Sequence, residues 1–189
     1  MERSTKTILP IILLSVISIA ASAQHTGNGG LYFHIVDEDE TQAFNNFYNA
    51  NPASTFNQRG ELINPNIVSS EVIILGVYDM DKQKNNDQGN PDFVAIRIGI
   101  RLDSSLITDV QVDEHMMSGD PIVTFTLTPE GGEIFFNHTQ RNVGRPMAVV
   151  FNNRVRLIAR ILAPIREAVM IQGFNEEESN RIARLLRGE

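Results

Sequence analysis

Residues 137–155, NHTQRNVGRPMAVVFNNRV, decide the fold, because three kinds of local structure can be read from them in succession. Asn137 to Val143 reads as the end of a helix. Gly144 reads as the left-handed residue that closes it, since glycine enters positive φ with no Cβ penalty. Arg145-Pro146 turns the chain, and the apolar run Met147 to Phe151 predicts a strand buried on both faces. Asn152-Asn153 then predicts a two-residue hairpin turn, because asparagine tolerates positive φ better than most residues with side chains. The returning strand sets Val155, Leu157, Ala159 and Ile161 on a core face. Arg154, Arg156 and Arg160 fall on the opposite face, toward solvent.

Upstream, Thr128-Pro129-Glu130 announces the start of that helix: a threonine N-cap, a proline at the first helical position and an acid at the positive end of the dipole. Phe135, His138, Thr139 and Asn142 share one stripe of it. Before it, LITDVQVDEH (106–115) and PIVTFTLT (121–128) alternate on either side of Ser118-Gly119-Asp120 and predict a β-hairpin. Downstream, AVMIQG (168–173) reads as a strand. Asn175 with Glu178 forms a capping box for a final helix whose inward stripe is Ser179, Ile182, Ala183 and Leu186. LYFHIV (31–36), EVIILGVYD (71–79) and FVAIRIGI (93–100) read as further strands, and TQAFNNFYNA (41–50) as a helix stopped at Asn51-Pro52. The pattern predicts an α+β fold, a mainly antiparallel sheet with helices packed on one face. It divides into a strand-rich N-terminal region, 24–105, and an α+β domain, 106–189.

The 189 residues open with Arg3 and Lys6, an apolar run from Ile8 to Ala20, and Ala21-Ser22-Ala23. This is the pattern of a secretory signal, residues 1–23, cleaved near Ala23. The rival reading, an uncleaved anchor, is opposed by an apolar run of about 13 residues where a membrane span needs about 20. The mature chain is therefore expected in the periplasm or outside the cell, with no membrane span. It has no cysteine, which excludes disulfides and thiolate metal sites. With 42% hydrophobic and 21% charged residues it has the composition of a folded protein. The net charge of −7 is concentrated before residue 120 and argues against a nucleic-acid partner, which would require cations to neutralise phosphates.

No pattern of catalysis or cofactor binding stands out. There is no nucleophile elbow, and His25, His34, His115 and His138 lack the i, i+4 pairing of a helical zinc site. His34 and His115 are placed on strands as ordinary hydrogen-bonded histidines. Asp79, Asp81 and Asp87 suggest a calcium loop, but the sixth and twelfth positions carry Lys84 and Asn90, or Asn86 and Asp92, where glycine and glutamate are needed. Asp37 to Glu40 reads as a solvated strand end. Gly131-Gly132 is flanked by Glu130 and Glu133, which would repel a phosphate, so it reads as close helix packing. The best candidate binding surface is the stripe Arg154, Arg156 and Arg160.

The order of these features resembles the first periplasmic region of SecD, specifically its P1 head subdomain. The matching segments are ITDVQV (107–112), PIVTFTLTPEGGEIF (121–135), Thr139 with Asn142-Val143-Gly144, MAVVFNN (147–153), Pro164-Ile165, Ile171 with Gly173-Phe174, and EEESNRIARLLRG (176–188). LYFHIV resembles the strand that opens the region. Asn152-Asn153 stands where the family usually has Asp-Gly, and Leu157 to Arg160 lacks the family's small-residue-plus-proline pattern. The resemblance implies a ferredoxin-like head and a polypeptide-binding habit. It does not imply a motor, because the chain stops at Glu189 where SecD continues into its membrane domain.

Two functions are therefore expected to compete. One is an exported, non-enzymatic module that binds an unfolded polypeptide or a component of the Sec or envelope export apparatus. The other is a secreted small-ligand binder or hydrolase on the same fold, with Asp37, Asp39 or Asp113 lining a cleft.

Overall fold

The computed structural model describes residues 30–77 and 92–189. The segment expected to be a signal, residues 1–23, and Asp79, Asp81 and Asp87 lie outside the described residues. Eight strands form two sheets: β1 (Leu31–Val36), β2 (Val72–Gly76), β3 (Phe93–Leu102), β4 (Ile107–Glu114), β5 (Pro121–Leu127), β6 (Pro146–Phe151), β7 (Arg154–Arg160) and β8 (Ala168–Ile171). The helices are α1 (Glu38–Ala50), the single turn α2 (Pro52–Thr55), α3 (Pro129–Gln140) and α4 (Glu176–Arg187). One sheet has the order β2-β3-β1-β6-β7 and the other β4-β5-β8. All the ladders are antiparallel, so the class is α+β as the sequence predicts, but two sheets replace the single one expected.

The five-stranded sheet draws on both sides of the expected boundary at residue 105: β1, the first strand, is central and lies between β3 and β6. Its two ends approach each other through a parallel bridge between Val77 and Val155, so the sheet curls toward closure. Its concave face buries Tyr32, Val36, Leu75, Val94, Ile96, Ala148, Val150 and Val155. Its convex face, with Leu31, Phe33, Ile35, Met147, Val149 and Phe151, packs against the three-stranded sheet and residues of α3 and α4. Phe33 sits at that junction, its ring edge-on to Phe125 of β5 at 6.3 Å and to Phe135 of α3 at 5.0 Å. Burying each such ring contributes about 1.5–3 kcal/mol, with about 0.5–1.5 more from each edge-to-face pair.

Local signals explain most of the elements. Thr128 Oγ1 accepts the Gly131 N–H at 3.0 Å, and Asn175 and Glu178 form the reciprocal capping box. Asn152 and Asn153 take φ of 50° and 62°, the two positive values a tight hairpin turn of this type requires. A Cβ on Gly131 would stand 2.5 Å from the Leu106 carbonyl oxygen, so this glycine lets α3 close against the chain leading into β4. At Gly99 a Cβ would overlap the Phe33 carbonyl oxygen, because β3 carries an extra residue opposite His34.

Three local expectations need correction. Asp37 to Glu40 is not a solvated strand end: Asp37 is the N-cap of α1, accepting the Glu40 N–H at 3.1 Å, and Glu38 to Glu40 form its first turn. Helix α3 ends at Gln140, and Gly144, at φ 84°, closes the following turn by donating to Ile161 O. His115 lies just beyond β4, where its Nδ1 accepts from the turn's own backbone.

Candidate functional site

The arginine stripe does not exist as one surface. Between Val149 and Val150 the β6–β7 register shifts: Val150 faces Val155 and Val149 faces Leu157, which places Arg156 at a β-bulge. Val155 consequently joins the concave core while Leu157 packs on the convex side, so the simple alternation predicted for this strand fails. Arg154 is exposed at the start of β7, cross-strand from Phe151. Arg156 is buried, its side chain 4% exposed, with Nη2 2.5 Å from Glu178 Oε2 and its guanidinium 5.4 Å from the Phe174 ring centroid. Arg160, at the far end, donates to the Gly144 carbonyl and pairs with Glu38 at 3.2 Å.

Arg156 is instead a tie between layers. Glu178 Oε2 also accepts the Asn175 N–H at 3.3 Å, so one carboxylate both caps α4 and holds the bulge of β7. Helix α4 lies on β4 and β5, so this ion pair joins the curled sheet to the three-stranded one. Thr139 makes a second tie: its buried hydroxyl donates to Phe135 O at 2.8 Å and accepts the Ile165 N–H at 2.9 Å, anchoring the β7–β8 connection on α3.

Where the two sheets diverge, a cavity of about 340 Å³ opens between β7 and β8. Phe33, Met147 and Val149 form its floor, Leu157 and Ala159 one wall, and Val169 and Ile171 the other. Leu162 and Met170, at 84% and 64% exposure, stand at the mouth, and Arg160 is the one charged residue among the lining. On its side away from β5, β8 pairs with no described strand. An apolar trough beside a free strand edge is suited to an extended peptide, whose backbone can pair with the edge while alternate side chains enter the trough. In sequence these apolar residues read as ordinary core and not as a binding surface, and only long-range register brings them together.

The carboxylates expected to line a cleft are dispersed. Asp37 is bound by Arg97 at 2.6 Å, and its carboxyl is held below the usual carboxylate range, chiefly by the Glu40 N–H and then by Arg97. Asp39 is exposed in the first turn of α1, and Asp113, exposed on β4, is the one of the three that lines a cavity, between the β4–β5 hairpin and α4. His34 Nδ1–H donates to the Arg97 carbonyl at 3.0 Å, the ordinary structural role expected of it. His138 on α3 has its imidazole pKa lowered by burial. Among the described residues no group of three or more histidine or acidic side chains could hold a metal ion, and no helix is long and apolar enough to cross a membrane.

Comparison with known proteins agrees with the resemblance seen in the sequence. The family described as SecDF, P1 head subdomain, matches residues 75–189. The protein translocase subunit SecD of Treponema pallidum (strain Nichols) is 32% identical over 162 residues, 85% of this chain and 27% of that protein. The same subunit of Borreliella burgdorferi is 28% identical over 163 residues, 84% of this chain and 28% of that protein. The chain thus spans little more than a quarter of these relatives. A solved structure described as a membrane component SecDF that enhances protein export aligns with a TM-score of 0.49 at 24% identity, covering 86% of this chain and 63% of that one. The chain belongs to the SecDF P1 head subdomain family.

Proposed function

We propose that this chain is an exported, non-enzymatic module of the protein-export apparatus that holds an extended polypeptide in the groove between β7 and β8. The observation that carries the reading is the groove: an apolar trough of about 340 Å³ with large side chains exposed at its mouth, beside an open strand edge. Exposed apolar side chains grouped in a concavity mark binding surfaces more often than scattered ones do. Family membership, with relatives named as protein translocase subunits, supports a partner that is itself a polypeptide or a component of the Sec machinery. The apolar run before Ala21-Ser22-Ala23 supports a location on the periplasmic or outer side of the membrane. Arg160, on the groove's rim, belongs to the proposed surface; Arg154 contributes as an exposed cation at the hairpin, and Arg156 acts through the packing of the two layers.

The test is fluorescence anisotropy with a permanently unfolded probe, reduced and carboxymethylated α-lactalbumin. The purified chain is expected to bind it, and the exposed-site pair Leu162→Glu and Met170→Glu to weaken binding at least about tenfold, a loss of about 1.4 kcal/mol. Absence of binding by the parent chain, or equal binding by the pair, would overturn the proposal.

A further inference from the structure

The β4–β5 hairpin carries a second surface that shares no lining residue with the groove. At its tip Met116 and Met117 are fully exposed, the most exposed large apolar side chains among the described residues. The tip that presents them is internally tied. The His115 N–H donates to Asp120 O at 2.8 Å, and the Gly119 N–H donates to His115 O at 2.8 Å. Nδ1 of His115 accepts from Met117 and Ser118. The turn itself asks only for the positive φ of Gly119 and gains nothing from two thioethers in water. Their placement therefore calls for a covering partner.

Chemistry beside the tip selects that partner. The hairpin and the start of α4 enclose a cavity of about 450 Å³ lined by Asp113, Glu114, Asp120 and Glu176, with Asn175 and Asn180, and by no arginine or lysine. None of the four carboxylates forms an ion pair among the described residues, whereas Asp37, Glu38, Glu71, Glu133 and Glu178 all do. Methionine adapts its shape to varied apolar side chains, and carboxylates around it favour cations. We infer that the hairpin tip and the acidic cavity together dock a cationic, amphipathic segment of a partner protein. Met116 and Met117 take its apolar face, and the four carboxylates take its lysines or arginines. An anionic lipid surface fits poorly, because the same carboxylates would repel it.

The probe for the experiment is a labelled peptide of about four helical turns with leucines on one face and lysines on the other. Two controls accompany it, one with glutamates replacing the lysines and one with the leucines scrambled off a common face. The purified chain is expected to bind the leucine–lysine peptide and neither control. Affinity should fall at least about tenfold in Met116→Ser/Met117→Ser and in Asp113→Asn/Glu114→Gln/Asp120→Asn, and should weaken as salt is raised. The groove pair Leu162→Glu and Met170→Glu should leave this binding unchanged, so failure here and failure of the groove proposal are separately visible. Three results would overturn the inference: binding insensitive to both hairpin variants, equal binding of the glutamate peptide, or methionine-dependent binding to anionic phospholipid vesicles in place of the peptide. Circular dichroism of these exposed-site variants confirms that each remains folded.

Discussion

Removing the carboxylate from the Arg156–Glu178 tie should cost far more than a surface ion pair. In Glu178→Ala the guanidinium stays where the bulge puts it, 4% exposed and against Phe174, but loses the oxygen 2.5 Å away. Breaking a buried pair by deleting one partner costs about 3–5 kcal/mol. Two features adjust that range. Glu178 is 22% exposed and the Phe174 ring still faces the cation, both of which lower the loss. The capping box at Asn175 is lost with the same carboxylate, adding back about 0.5–1 kcal/mol. The expected cost is about 3 kcal/mol, a fall in Tm of about 6–12 °C for a chain of this size. Arg156→Met, which keeps an apolar stem and removes the charge, should cost less, and the double variant Arg156→Met/Glu178→Gln less than the sum of its single variants by about 1–3 kcal/mol. Urea unfolding followed by circular dichroism reads all of these. A Glu178→Ala variant within about 0.5 kcal/mol of the parent, or strict additivity in the double variant, would refute the assignment of the pair as a buried tie between layers.

Thr139→Val should destabilise by about 1–3 kcal/mol in the same assay despite its near-equal volume, because the Ile165 N–H loses its acceptor in a buried site. Asn153→Gly should stabilise by about 0.5–1 kcal/mol, measured by urea midpoint, since φ of 62° strains any residue with a Cβ. Acid should destabilise the fold through two groups. The lowered Asp37 carboxyl contributes stability that is fully present above the ordinary carboxylate pKa and is lost as pH falls through the folded value; Asp37→Asn should flatten that limb of the stability curve. His138, lowered by burial, contributes stability above the ordinary imidazole value of 6.5 and loses it on acidification; its NMR titration midpoint should lie below 6.5.

Much of this fold was legible because it is written in short-range chemistry. Thr128-Pro129, Asn152-Asn153 and the Asn175–Glu178 box each act within four residues, and each holds in the structure as the sequence predicts. The start of α1 is written in equally local chemistry, since Asp37 followed three residues later by Glu40 is a helix-start signature, but the run of four acids also fits a solvated strand end. The arginine stripe failed for a different reason. A single extra residue in β7 reverses the parity of the strand, and the bulge is fixed by pairing with β6 and by Glu178, neither visible in the alternation of residues 154–160. The groove was illegible in the same sense, since Phe33, Met147, Leu157 and Val169 are separately unremarkable apolar residues until two sheets diverge around them.

The central position of β1 has a consequence in time. Leu31, among the first residues described, pairs with Leu102 on one side and with Phe151 on the other, so the strand's second neighbour lies 120 residues further along the chain. A chain emerging from its N-terminus therefore cannot complete the five-stranded sheet until β6 has arrived, and Arg156 cannot be held until α4 follows it. Such remote pairings slow folding, because the entropy of closing the loop is lost before any contact repays it. Closure of the sheet thus waits on a partner 120 residues away, and its pace is set by that remote pairing and not by the local turns and caps.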